Sequence, residues 1–279
     1  MIVDGRALAK AILARTKTRA EKLPRPPRVL ALVADETPAT KSYLAIKAKR
    51  AADAGCELKI RHIKESVRPS DIVDMSREAD AVILQLPLSA EMDAKALCDV
   101  IPIGKDADVL SSSARAAFEM MDLRSPSLLP PVVGAVRAIF LKHGIEPKGR
   151  KVVVIGRGFL VGAPVAIWFR QQGAEVAVIT REAGNFPEIL KEADIIVSGA
   201  GAPHLIKPEM LKIGVVLIDA GTSESGGAIV GDADPACAAK CALFTPVPGG
   251  VGPIAVACLF ENVTALTERQ VRTALDELA

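Results

Sequence analysis

The chain has 279 residues, 50% of them hydrophobic and 24% charged, a composition that suits one large or two modest folded domains and excludes disordered and fibrous classes. Aromatic residues make up only 3%, so the core must come from Ala, Val, Ile and Leu, and stacking platforms for single-stranded nucleic acid are nearly absent. With 35 basic against 33 acidic residues, the formal charge of +2 is too small to imply a polyanion-binding surface.

The first 23 residues have helical periodicity with interspersed Arg and Lys, but neither the apolar run of a signal peptide nor a membrane-spanning stretch. Asp4 and Glu21 depart from an acid-poor mitochondrial presequence, so the expected location is the cytoplasm. Short apolar strands are predicted at 28–34, 57–63 and 81–86, separated by helices near 40–54 and 70–77. Pro and Ser then concentrate in residues 123–131, which predicts a domain boundary. Beyond it the pattern predicts a helix at 132–143, strands at 151–156, 175–180, 194–198 and 215–219, and a long helix over 253–279. Alternating strands and helices make the class α/β. The expected domains are 1–130, joined by a returning C-terminal helix at 255–279, and a Rossmann-like, doubly wound unit at 131–254. Cys56, Cys98, Cys237, Cys241 and Cys258 are scattered, with no CxxC pair, so neither a disulfide framework nor a metal site is expected.

The sharpest local signal is KVVVIGRGFLVGAPVAIWF, a buried strand that enters a helix through Gly156, Gly158 and Gly162. Small residues there let the backbone approach a pyrophosphate, which free helix amides attract. The GxGxxxG spacing also suits a plain strand-to-helix turn. Arg181 after the next strand, with Arg157 in the loop, favours a 2′-phosphate and hence NADP, while adjacent Glu182 suits the ribose hydroxyl of NAD.

Tyr43 and Lys47, four residues apart, share a helix face. A partly desolvated lysine can move protons, although an exposed amphipathic helix has the same spacing. Gln85 interrupts an apolar strand end and needs partners, which Lys47 or a ligand would supply. Asp106 and Asp108 precede a Ser-rich stretch; Asp108 suits the donors of a heterocycle, and turn capping suits the pair equally. Residues 245–253, TPVPGGVGP, read as a rigid loop over a planar ligand. His62, His143 and His204 have no triad or metal partners, and no Ser lies in a GxSxG elbow.

The Y-x-x-x-K helix, the Q-L-P-L strand end at 85–88, the K-D-x-D turn at 105–108, the G-R-x-x-x-V-G-x-P loop at 156–164 and P-V-P-G-G-V-G-P at 246–253 occur in that order. Over nearly the whole chain they resemble the bifunctional methylenetetrahydrofolate dehydrogenase/cyclohydrolase family. The resemblance implies NADP-dependent oxidation of 5,10-methylenetetrahydrofolate to the methenyl cation, then hydrolysis to 10-formyltetrahydrofolate, in one cleft between the domains. It places the chain in one-carbon metabolism and purine biosynthesis. Carried over, it implies that Tyr43 packs on the folate, Lys47 assists water attack and proton movement, Gln85 positions Lys47, and Asp108 holds the pterin. Pro248, Gly249, Gly250, Val251, Gly252 and Pro253 would line the folate side. Gly156, Arg157, Gly158, Val161, Gly162, Pro164, Arg181 and Thr222 would hold the nucleotide. The resemblance also implies a homodimer formed through the nucleotide domain; no metal, membrane or nucleic-acid partner is expected.

Four stretches depart from the family pattern. Val109-Leu110 stand where the family usually has G-F, LPPVVG replaces P-C-T-P-x-G, Gly158 replaces a serine, and Ile254-Ala255 replace Met-Thr. They keep two rivals in view: a dehydrogenase without hydrolysis, and a nucleotide-binding protein without turnover.

Overall fold

The computed structural model describes residues 1–34, 38–120, 128–183 and 185–277. In chain order the elements are α1 (Gly5–Ala20), β1 (Arg28–Val33), α2 (Pro38–Asp53), β2 (Glu57–His62), α3 (Pro69–Ser76), β3 (Ala81–Gln85), α4 (Ala94–Asp99) and α5 (Ser112–Glu119). There follow α6 (Pro131–His143), β4 (Lys151–Ile155), α7 (Gly162–Gln171), β5 (Glu175–Ile179), α8 (Phe186–Glu192), β6 (Ile195–Ser198) and β7 (Val215–Asp219). The remainder is β8 (Ser223–Ser225), β9 (Ala228–Val230), β10 (Cys241–Phe244) and α9 (Val251–Asp276). Two compact units result: Lys10–Pro131 with Val256–Ala279, and Met1–Ala9 with Val132–Ala255.

In the first unit the parallel sheet has order β2-β1-β3. Val29, Leu30, Leu32, Val82 and Leu84 are almost fully buried, which is why β1 and β3 read as apolar runs; β2, ELKIRH, expected to be apolar too, is a largely exposed edge strand, so its charged residues face solvent. From β1 the chain goes first to β2 on one side and later to β3 on the other, so the winding reverses between β1 and β3. Their carboxyl ends, Val33 and Gln85, lie in register, at the position where open α/β sheets bind ligands. The C-terminal helix returns to this unit: Arg19 grips Glu268 through two hydrogen bonds of 3.0 and 2.7 Å.

In the second unit five parallel strands have order β10-β7-β6-β4-β5, and the winding reverses between β4 and β6. Phe140 of α6 meets Trp168 and Phe169 of α7 edge to face, with ring centroids 6.0 and 5.5 Å apart, and this contact seats the helix that follows the glycine loop.

The expected strands are present within one residue of their predicted ends. Four differences have physical causes. The long helix starts at Val251 rather than 253, so residues 251–253 form its first turn, where the missing amide of Pro253 costs no helical hydrogen bond. The short strand β10 has Ala in its middle and escapes a pattern search; it also pairs with Ile2, through Val3 N–H to Phe244 O at 2.9 Å and Phe244 N–H to Met1 O at 2.9 Å. That pairing groups Met1–Ala9 with the second unit, whereas the sequence reading put residues 1–9 in the first. The β8–β9 hairpin, absent from the expected elements, turns on Gly226 and Gly227, both at positive φ, and the Gly-Gly pair is its sequence signal. Of the expected linker, residues 123–127 lie outside the described residues, as do 278–279 of the expected final helix.

Candidate functional site

In the first unit α2 carries Tyr43 and Lys47, and β3 ends on Gln85. Lys47 is 9% exposed, too buried for a solvated ammonium, and its Nζ donates to Gln85 Oε1 at 2.9 Å. Gln85 Nε2 donates in turn to Leu86 O at 2.7 Å, which fixes the amide with its oxygen toward the lysine. The expectation that Gln85 interrupts the strand to hold Lys47 thus has its geometry. Tyr43, one turn earlier, is 42% exposed.

Three of the four residues in the K-D-x-D turn face inward to structural work or burial. Lys105 donates to Ser76 O at 2.8 Å, the last residue of α3, and to Ala79 O at 2.7 Å just beyond it. Asp106 accepts from the amides of Leu110 at 2.9 Å and Ser111 at 2.8 Å, so this member of the acidic pair is a turn cap. Ala107 is fully buried. Asp108 is left half-buried. Burial pushes its carboxyl above the ordinary carboxylate range, the Lys47 ammonium pulls it back, and Asp106 adds to the rise. The next residue, Val109, is buried with φ 57°, a left-handed conformation that costs a β-branched residue roughly 1–2 kcal/mol. Lys47 and Gln85 therefore form a buried ammonium with its amide acceptor, and Asp108 adds a half-buried carboxyl suited to a donor-rich ligand, close enough for the ammonium's charge to act on it.

The second unit builds its site from backbone. Gly156 follows β4 at φ 99°, and a Cβ there would stand 2.8 Å from Gly199 O. A Cβ on Gly162 would stand 2.1 Å from Gly156 O. Gly158, by contrast, has open space around it. Val161 packs against the loop after β6, where a Cβ on Gly199 would meet its Cγ1 at 2.5 Å. No side chain caps the first turn of α7: the Ala163 amide donates to Gly158 O at 3.1 Å and so closes the loop onto the helix, and Pro164, which is buried, has no amide, so the Gly162 amide is the one at this helix start that an anion would use. This close-walled cradle fits a dinucleotide pyrophosphate. Arg157 and Thr222 are exposed. Arg181 Nε donates to Glu182 Oε1 at 2.9 Å, and Thr180 and Arg181 together hold the Glu182 carboxyl down to about 2.

Behind the cradle lie two buried carboxylates that sequence reasoning missed. Asp232 Oδ2 accepts from Ser198 Oγ at 2.6 Å and the Ala200 amide at 2.7 Å, and its Oδ1 accepts from the Ala202 amide at 2.8 Å. Asp219 accepts from the amides of Gly221 at 2.9 Å, Asp232 at 3.2 Å and Ala233 at 2.8 Å. These bonds hold the loops after β6 and β7 in place. Burial, with Asp232 nearby, pushes the Asp219 carboxyl up to about 6 despite those amides. The available signals were IDAG, an Asp that ends an apolar strand two residues before a Gly, and GDAD, an Asp directly after a Gly.

Pro248, Gly249 and Gly250 form a turn in this second unit, and Val251, Gly252 and Pro253 open α9. A Cβ on Gly5 would lie 1.9 Å from Gly250 O, so the start of α1 and this turn are in backbone contact. Among the described residues no group of three or more metal-ligating side chains is present, and no helix is long and apolar enough to cross a membrane.

Two family models match the chain: "Tetrahydrofolate dehydrogenase/cyclohydrolase, catalytic domain" over residues 3–108, and "Tetrahydrofolate dehydrogenase/cyclohydrolase, NAD(P)-binding domain" over residues 130–271. The bifunctional protein FolD of Hydrogenobaculum sp. is 31% identical over 277 residues, covering 97% of this chain and 99% of that protein. The bifunctional FolD enzyme of Campylobacter jejuni superposes with a TM-score of 0.91 at 26% identity, covering 97% of this chain and 99% of the other. The Trypanosoma brucei methylenetetrahydrofolate dehydrogenase-cyclohydrolase, solved with NADP cofactor and an inhibitor, gives a TM-score of 0.90 at 30% identity and covers 98% of each chain.

Proposed function

Because the chain belongs to the tetrahydrofolate dehydrogenase/cyclohydrolase family, we propose that it oxidises 5,10-methylenetetrahydrofolate with NADP and hydrolyses the methenyl product to 10-formyltetrahydrofolate. The observation that carries the reading is the buried Lys47 ammonium, held 2.9 Å from Gln85 Oε1.

Hydrolysis requires a proton to leave the attacking water and another to reach the departing ring nitrogen. We assign that relay to Lys47, the buried group with exchangeable protons at this edge. Gln85 holds Nζ in one direction, so the lysine does not spend its protons on solvent. Asp108, as a carboxylate, would accept from the donor edge of the pterin, and Tyr43 would pack its ring on the folate. In the oxidative step the folate nitrogen lone pair drives hydride departure, and the chain contributes distance and orientation rather than an acid or base. NADP, when bound, supplies the hydride acceptor. Gly156, Gly158, Val161, Gly162 and Pro164 would give it a close backbone wall at the start of α7, with Arg157, Arg181 and Thr222 around its periphery. Residues 248–253 would line the folate side.

The reading extends to a cytoplasmic homodimer serving one-carbon metabolism and purine biosynthesis. Strand β5 lies at a sheet edge, and an unpaired edge in the nucleotide unit suits a second copy. Sedimentation of the purified chain at two protein masses, one and two copies, decides that point. For the chemistry, purified protein is mixed with methylenetetrahydrofolate and either NADP or NAD, and reduced nucleotide is recorded. Faster reduction of NADP is expected; no reduction of either nucleotide would overturn the reading.

A further inference from the structure

Asp108 is carried by a turn that its own sequence does not favour, and the structure shows what holds it. Val109, 1% exposed, sits at φ 57°, in the region where glycine is at ease and a β-branched side chain is not. On one side the turn is capped by Asp106 through the amides of Leu110 and Ser111. On the other, Asn262 of α9, itself only 9% exposed, donates from Nδ2 to Ala107 O at 2.9 Å and to Leu129 O at 2.8 Å. Both hydrogens of the amide are thereby committed, one to the residue just before Asp108 and one to the residue two before α6.

We propose that Asn262 is a positioning residue for Asp108: it holds the carbonyl before Asp108 so that the turn stays in the left-handed conformation Val109 opposes, and it ties that turn to the segment at Leu129. The proposal rests on the reading of Asp108 as the group that holds the folate. It makes a demand that a merely structural asparagine would not, because Asn262 bonds to Ala107 and not to Val109. If the amide works against the strain at Val109, relieving that strain must lessen the need for the amide.

The test uses the full chain and the cycle of Asn262→Leu, Val109→Gly and both together. Leucine keeps the shape of asparagine and removes both donors; Asn262→Ser serves if that variant does not fold. Asn262→Leu is expected to raise the KM for methylenetetrahydrofolate roughly ten-fold while the Kd for NADP stays within about two-fold. Hydrogen exchange at the Leu110 and Ser111 amides should quicken, since the turn opens more often. Adding Val109→Gly should recover the greater part of both losses. An equal loss of NADP affinity, an unchanged folate KM with unchanged exchange, or a double variant no better than Asn262→Leu would each overturn the proposal. Should the unaltered protein turn over no folate, the reading of function fails, and exchange at Leu110 and Ser111 alone then decides whether Asn262 holds the turn.

Discussion

The two units use the same topological opportunity in opposite ways. Each winds a parallel sheet whose strand order reverses once, between β1 and β3 in one and between β4 and β6 in the other. At the first reversal the carboxyl end of β3 holds a side chain that can exchange protons, Lys47, through the amide of Gln85. At the second the carboxyl ends are filled by bare backbone, with Gly156, Gly162 and Gly199 packed so closely that a single added carbon would collide. A site made of side chains fails when atoms are removed, whereas a site made of backbone fails when atoms are added.

The largest effect expected from this contrast is at Lys47. Lys47→Met should lower hydrolysis of supplied methenyltetrahydrofolate by about 10²–10⁴-fold, the usual contribution of a positioned proton carrier, with NADP affinity unchanged by calorimetry. Hydrolysis as fast as in the unaltered protein would remove Lys47 from the mechanism. Next comes Gly162→Ala, whose Cβ would stand 2.1 Å from Gly156 O. Such overpacking costs about 1–3 kcal/mol and should weaken NADP binding roughly ten- to hundred-fold. Hydrolysis of supplied substrate by this variant would sharpen the comparison if it persists.

Asp108→Asn should raise the folate KM by about ten-fold through loss of a charge-assisted hydrogen bond. The same group sets a pH dependence. Its carboxyl is raised, mainly by burial, so it gains a proton at higher pH than an ordinary carboxylate. Folate KM should therefore begin to climb above the ordinary carboxylate range as the solution is acidified, and the Asp108→Asn variant should lack that limb.

The buried acids behind the nucleotide cradle and beneath the first sheet have opposite signs. Asp219 is raised to about 6, so the folded state binds its proton more tightly than the unfolded state, and this group's contribution to stability declines as pH rises from about 4 to 6. For Asp80 desolvation is again the largest single influence, but the Arg25 and Arg28 hydrogen bonds together bring it below the ordinary range; its contribution is lost as pH falls through that lowered value. A carboxyl-carbon titration by NMR should find Asp219 with a midpoint near 6, and a midpoint in the ordinary carboxylate range would contradict its account. The smallest effect belongs to Gly158→Ala, which enters open space and should leave NADP affinity within about two-fold.

Much of this arrangement was legible in the sequence because burial leaves a simple trace. Strands covered on both faces appear as apolar runs, and an interruption such as Gln85 or the GRG loop marks the end that meets a ligand. Spacing could not divide the acidic pair of the K-D-x-D turn. Asp106 and Asp108 look alike in the chain, and only the amides of Leu110 and Ser111 reveal Asp106 as a cap. Asp219, Asp232 and Asn262 were harder to read for a related reason: most of their partners are backbone groups, from 2 residues away (Asp219 and Gly221) to 155 (Asn262 and Ala107), and a backbone group has no letter in the sequence. The terminal strand segment escaped because Ile2 pairs with Phe244, a contact that no local pattern encodes.

The most direct measurement follows one mixture of the unaltered protein, methylenetetrahydrofolate and NADP by near-ultraviolet absorbance, resolving reduced nucleotide from the methenyl product. The account predicts that reduced nucleotide accumulates while the methenyl signal clears faster than it does in buffer alone. A methenyl signal that builds and decays only at its uncatalysed rate would contradict the assignment of a proton relay to Lys47 and leave an oxidising enzyme alone.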